Sequence, residues 1–297
     1  MLAAAITLLT VTLAAAHDAP GRPSGPPGAI DPSVTYPADV VSGGGGHFHV
    51  LLALGKGAPL FAGTHLGLFR SDDHGRSWRL AAARFSGEDV HAVARSRTAL
   101  YVATQGQGLL VSADGGVHWR DDSHGLPGRD LHALTLDPHQ PDVIYVWVVG
   151  HGLFRRGAPR LPWEPVAGPE TLPDVESLAV HPEDGARLYA GTAKGVWISD
   201  DRGRRWRFPL GGLASRTAGV AIPPARPDLL LAATLDGVFM GEADGTHWHP
   251  VTPAPSWWGP LVGFAFVPET PTRVLAVAHE GVIATRSLDG GAWVPLE

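Results

Sequence analysis

Cysteine is absent from the chain. That excludes disulfides, thiolate metal sites, cysteine nucleophiles and a lipid-anchored cysteine. Charge is scarce: Asp, Glu, Lys and Arg make up 18% of the 297 residues, with no run of Lys or Arg. At a net charge of −6, the basic footprint of a nucleic-acid binder is missing. The acidic balance also disfavours docking on an anionic membrane. No ten-residue stretch of the repeating region carries an amphipathic helical period. Beyond the N-terminus, no apolar run is a membrane candidate.

Glycine and proline are plentiful, at 38 and 27 residues. This is the profile of a β-rich, turn-rich globular protein. The N-terminus reads MLAAAITLLTVTLAAAHDAP. Its apolar run before Ala14-Ala15-Ala16 predicts a signal peptide over residues 1–16, with export to the periplasm or the extracellular space. No membrane contact is expected after cleavage. His17 would then be the new N-terminus, and a terminal amine beside an imidazole can bind copper. Residues 17–46 hold six prolines and end in four glycines. They read as a flexible leader, with a short strand near Val34–Tyr36 as the one ordered element considered. Residues 47–297 form the remaining domain.

That domain repeats. SDDHGRSW (71–78) recurs as SADGGVHW (112–119) and SDDRGRRW (199–206), and a shortened SLDGGAW occupies 287–293. The preceding segments are a clearer ruler. Their glycines, Gly67, Gly108, Gly152, Gly195, Gly237 and Gly281, are spaced by 41, 44, 43, 42 and 44 residues. Trp78, Trp119, Trp163, Trp206, Trp248 and Trp293 follow in phase. Each unit carries four short β-type runs, such as HAVAR (91–95), LYVAT (100–104), GLLVS (108–112) and a run from Trp119. Four strands in ~43 residues is a propeller blade. The fold expected is therefore all-β: a six-bladed β-propeller of four-stranded antiparallel blades.

The SDDHGRSW loop reads as a turn and not as a metal site. His74 becomes Gly115 and Arg202 in the sister copies, whereas Ser71/Asp73/Gly75/Trp78, Ser112/Asp114/Gly116/Trp119 and Ser199/Asp201/Gly203/Trp206 persist. Serine and aspartate bond to turn backbone, glycine supplies positive φ, and tryptophan buries its ring.

Ser-x-Asp-x-Gly-x-x-Trp resembles the Asp-box, or BNR, repeat of sialidases and related propellers. That group includes endoglucanases, sortilin-type receptors and photosystem assembly factors. HFH (47–49) followed by GTHLGLF resembles exported glycosyl-hydrolase-like members. The resemblance implies the fold; a fold alone does not imply an activity. The sialidase pattern also brings an Arg-Ile-Pro motif, missing here, and a tyrosine nucleophile. Tyr101, Tyr145 and Tyr189 share one repeat phase, on the face away from the expected ligand site.

Strand alternation puts the boxes on one face of the ring. The starts of the innermost strands and the turns between strands two and three lie on the other. The starts read His49, His91, His132, Glu176, Ala218 and Val262. Two residues earlier come His47, Asp89, Asp130 and Asp174. The turns add His65, Gln105, Gln107, His151, Lys194, Asp236, His279 and Glu280. Seven of the fifteen histidines thus meet at one mouth.

Two readings follow. The mouth is a solvated polar funnel, or it holds a divalent metal such as Zn or Cu on neutral imidazoles with aspartates orienting them. For a metal, His49, His91 and His132 are the first ligand candidates, with His65, His151 and His279 behind them. Paired carboxylates among Asp89, Asp130, Asp174, Glu176 and Glu280 would instead suit a glycoside hydrolase. Trp257 and Trp258, in a Pro-rich loop, either cap a blade or stack on a ligand, beside Gln105, Gln107, Lys194 and Asp236. The preferred expectation is an exported, non-catalytic propeller binding a protein, glycan or metal at this face.

Overall fold

The structure is a computed structural model that describes residues 30–31, 33–37, 41, 47–55, 57–251, 259–267, 270–278 and 281–296. Six antiparallel sheets follow one another along the chain. In the second blade the strands are Val90–Arg95, Leu100–Thr104, Leu109–Ser112 and Arg120–Asp121, close to the runs read from the sequence. The fourth blade reduces its outer strand to a single bridge, Ile198 to Arg207. Among the described residues helical structure is confined to two short 3-10 turns and Val41, and no helix is long and apolar enough to cross a membrane.

The first blade gains a fifth strand. Thr35–Pro37 pairs antiparallel with the outer strand Ser77–Leu80. Ile30, Tyr36 and Val41 pack on the same core as Phe48 and Trp78. Part of the expected leader is thus ordered on blade 1, at the position suggested for a short strand. The signal segment and most of the leader lie outside the described residues.

The innermost strands are buried along most or all of their length, wholly so in Phe48–Ala53 and Val175–Val180. Both faces of each meet a neighbouring blade, which is why they read as near-continuous apolar runs rather than alternating ones. The ring closes by packing of the first blade against the sixth: Val262, Ala265, Leu275, Val277 and Ile283 join the cluster of Phe48, Leu51 and Trp78. Close approach between blades requires small residues. A Cβ on Gly63 would sit 2.5 Å from the Val90 carbonyl oxygen of the next blade.

The repeated Ser-Asp-Gly-Trp loops share one hydrogen-bond pattern. Ser71 Oγ donates to Asp73 Oδ1 at 2.8 Å, while the Gly75 amide donates to Ser71 Oγ at 2.8 Å. The Ser77 amide reaches Asp73 Oδ1 at 2.9 Å, and Trp78 Nε1 donates to the Gly75 carbonyl at 3.1 Å. The same four bonds recur in the loops of Ser112 and Ser199. Gly75, Gly116 and Gly203 sit at φ of 90°, 95° and 84°. Burial of the tryptophans is uneven. Trp78 is fully buried, whereas Trp119 and Trp206 are half-buried.

Candidate functional site

Every innermost strand carries a register shift, and all six fall at one repeat position. Phe48 pairs with Thr64 and Val50 with Gly63, leaving His49 unopposed. The shifts in the other blades skip His91, His132, Glu176, Ala218 and Val262. A β-bulge re-aims its extra side chain and sharpens the local twist. Here six bulges stand at the six residues read as strand starts. Four carry His or Glu; the last two carry small or apolar side chains.

The consequence in blades 1 and 2 is a tight polar cluster. Asp89, from blade 2, faces two imidazoles of blade 1. His65 Nδ1 lies 2.6 Å from Asp89 Oδ2, and His49 Nδ1 lies 3.1 Å from Asp89 Oδ1, an electrostatic approach outside hydrogen-bond geometry. The far nitrogens of the rings, His49 Nε2 and His65 Nε2, are 3.1 Å apart. His49, His65 and Asp89 each offer a donor atom within 4.8 Å of the others, a grouping that could hold a cation among the described residues. His49 is fully buried, and burial pushes its pKa down against the opposing pull of Asp89. Burial pushes the Asp89 carboxyl up, but the facing imidazoles of His49 and His65 outweigh it and hold the group well below the usual carboxylate range.

His91 and His132 take a different arrangement. The His49 and His91 rings stack at 5.1 Å and 24°, and those of His91 and His132 at 4.4 Å and 28°. Near-parallel rings direct their in-plane lone pairs side by side. The bulge histidines therefore form a stack, and it is His65, from the turn between strands two and three, that brings a nitrogen to His49. Asp130 Oδ1 lies 3.2 Å from His132 Nε2.

In blade 4 the bulge residue is Glu176, which is 2% exposed. Arg216, from the entry to blade 5, donates from Nε to Glu176 Oε1 at 2.7 Å. Glu176 Oε2 has no hydrogen-bond partner among the described residues. Burial pushes the Glu176 carboxyl up to about 7, against the pull of Arg216. Both residues line a cleft of about 420 Å³ with His132, Trp147, Leu172 and Asp174.

The other candidates are spread along the mouth. Gln107 is tied between blades, its amide nitrogen donating to the Arg84 carbonyl at 2.7 Å and to Glu88 Oε2 at 3.2 Å. Gln105, His151, Lys194 and Asp236 are exposed on the turns, and Ser215 Oγ donates to Asp236 Oδ2 at 3.4 Å. Trp257, Trp258, His279 and Glu280 lie outside the described residues. Tyr101, Tyr145 and Tyr189 are core residues whose hydroxyls burial pushes up.

Sequence reasoning missed Arg216, which occupies the same phase as Asp89, Asp130 and Asp174. It also missed a threonine device in the mouth turns. Thr64, Thr104, Thr192 and Thr234 each donate to the carbonyl of the glycine opening the next strand, at 3.2, 3.1, 2.7 and 3.1 Å. The signal was the Thr before each such glycine in GTHLG, ATQGQG, GTAKG and ATLDG.

No family model and no curated protein sequence matches the chain. Solved structures do match. An ancestral GH74 enzyme aligns at a TM-score of 0.53 and 16% identity, over 69% of this chain and 31% of that one. A chain of a nidogen/laminin complex aligns at 0.55 and 15%, over 67% and 78%. The extracellular domain of a putative hybrid two-component system from B. thetaiotaomicron aligns at 0.56 and 14%, over 79% and 32%. The chain thus spans about a third of the GH74 enzyme and of the two-component protein. These likenesses establish the propeller fold, on which both glycoside hydrolases and binding proteins are built.

Proposed function

We propose that this protein is an exported, non-catalytic Asp-box propeller that binds a glycan or protein ligand at its His/Asp-rich mouth. The carrying observation is the cleft beside Glu176 and Arg216. It combines an apolar wall (Trp147, Leu172) with a buried Glu176 bonded to a half-buried Arg216 and an exposed Asp174. A concave site with few, fixed polar groups is the usual form of a ligand pocket. Three acids of the mouth already face a basic side chain. Asp89 serves two imidazoles, Asp130 faces His132, and Glu176 is bonded to Arg216. A glycan array and a peptide library, probed with the wild type and with Arg216→Ala, test this. Binding lost in Arg216→Ala and kept in Arg204→Ala, an arginine of a separate cleft lined by Gln140 and Glu164, supports the reading. Equal binding by all three proteins refutes it.

One observation favours a second reading, a glycoside hydrolase. A carboxyl raised to about 7, next to Asp174 on the same cleft, is the kind of group that serves as a general acid. Turnover of aryl glycosides or β-glucans that disappears in Glu176→Gln would establish hydrolysis over simple binding.

A further inference from the structure

We infer that the His49–His65 pair is a binding site for one borderline divalent cation, Zn²⁺ or Cu²⁺, with Asp89 fixing both imidazoles from behind. An ionised carboxylate accepts at both of its oxygens and donates at neither. Each oxygen faces an Nδ1, of His49 at 3.1 Å and of His65 at 2.6 Å. His65 Nδ1 therefore carries a hydrogen, and the tautomer that also turns the His49 Nδ1–H towards Asp89 leaves both Nε2 atoms as lone pairs. Those lone pairs meet at 3.1 Å. Two acceptors at hydrogen-bond distance repel unless a cation lies between them.

A metal ion suits the spacing. With metal–nitrogen bonds of about 2.0–2.1 Å, a 3.1 Å separation corresponds to a nitrogen–metal–nitrogen angle of about 100°, near the tetrahedral value. The donor set is right as well. Imidazole nitrogen suits Zn and Cu, and a ligating histidine ordinarily donates its other ring N–H to a carboxylate. One carboxylate here does this for two ligands. The His65 side chain keeps 23% of its exposure, so the ion would have a route from the mouth and open positions for solvent or an exogenous ligand. This site sits in blades 1 and 2, apart from the Glu176 cleft, and stands or falls independently of what that cleft binds.

The test uses the full chain purified without a histidine tag and stripped with a chelator. Zn²⁺ is titrated against a competing chromophoric chelator for the wild type, His65→Ala, Asp89→Asn and a His247→Ala/His249→Ala surface control. The expected result is one equivalent bound by the wild type and by the surface control. Affinity should fall at least tenfold in His65→Ala, and about 10–100-fold in Asp89→Asn, as for a lost orienting partner. No binding by the wild type, or equal binding by His65→Ala, overturns the proposal. Should the variants fold poorly, Cu²⁺-loaded wild type decides: EPR nitrogen couplings from two imidazoles are expected, and a spectrum without them overturns it.

Discussion

Glu176 makes the stability of the fold depend on pH in a direction opposite to most carboxylates. Its folded pKa of about 7 lies above the ordinary 4.5. The native state therefore holds a proton that the unfolded chain has already lost. Stability from this group is fully present below the unfolded pKa and is lost as pH rises through the folded value. At about 1.36 kcal/mol per pK unit, the 2.5-unit gap corresponds to about 3 kcal/mol in total. About 2 kcal/mol of it disappears between pH 5 and pH 7.5. The side chain is 2% exposed, so solvent screening takes little away. Glu176→Gln keeps the shape and cannot titrate. Equilibrium urea unfolding of both proteins at half-unit pH steps isolates the effect, because every other titrating group cancels in the difference. Wild type minus variant should decline by about 2 kcal/mol across that window. A difference that is flat within ~0.5 kcal/mol, or that rises with pH, would mean that the Arg216 bond at 2.7 Å outweighs burial and keeps the carboxylate ionised. That result would also remove the general-acid reading of Glu176.

Other consequences follow from packing and backbone. Trp78→Ala should cost about 3–5 kcal/mol by urea unfolding, since the ring is fully buried and makes an edge contact with Phe48 at 5.5 Å. Trp119→Ala should cost less, because Trp119 is only half-buried; equal losses would refute the difference in burial. Gly203→Ala should lose about 1–2 kcal/mol from its positive φ alone, with more from a Cβ 2.5 Å from Leu153 Cδ2; a neutral change in melting temperature would contradict this geometry. Arg156→Ala should cost about 3–5 kcal/mol, because Arg156 Nη2 pairs with Asp122 Oδ2 at 2.6 Å with both side chains at most 10% exposed. Replacing Asp122 by Asn in that background should then cost little further, and an additive loss would show that the two groups act separately.

The sequence made the blades legible and the mouth only partly so, for a physical reason. Repeat phase depends on glycines and tryptophans whose roles are local: a positive φ in a turn, a ring over its own loop. Such residues announce themselves within one unit. The mouth is built between units. Asp89 of blade 2 reaches back to His49 of blade 1, and Arg216 of blade 5 reaches back to Glu176 of blade 4. In both cases a residue two places before one bulge holds the bulge residue of the preceding blade. The charge order is inverted: acid onto imidazole in the first pair, guanidinium onto acid in the second. Composition reports histidines and carboxylates at the same phase but not which blade each one serves. The bulges are hidden too, since the innermost strands are buried along most or all of their length and show no alternation that a register shift could interrupt. Aligning all six blades two places before the bulge would have exposed Arg216 as the one cation among Asp89, Asp130 and Asp174. That substitution separates the mouth into two halves of different chemistry, an imidazole–carboxylate half in blades 1 to 3 and a carboxyl–guanidinium half in blades 4 and 5. A cation site and an organic-ligand cleft can then occupy one ring without sharing a residue.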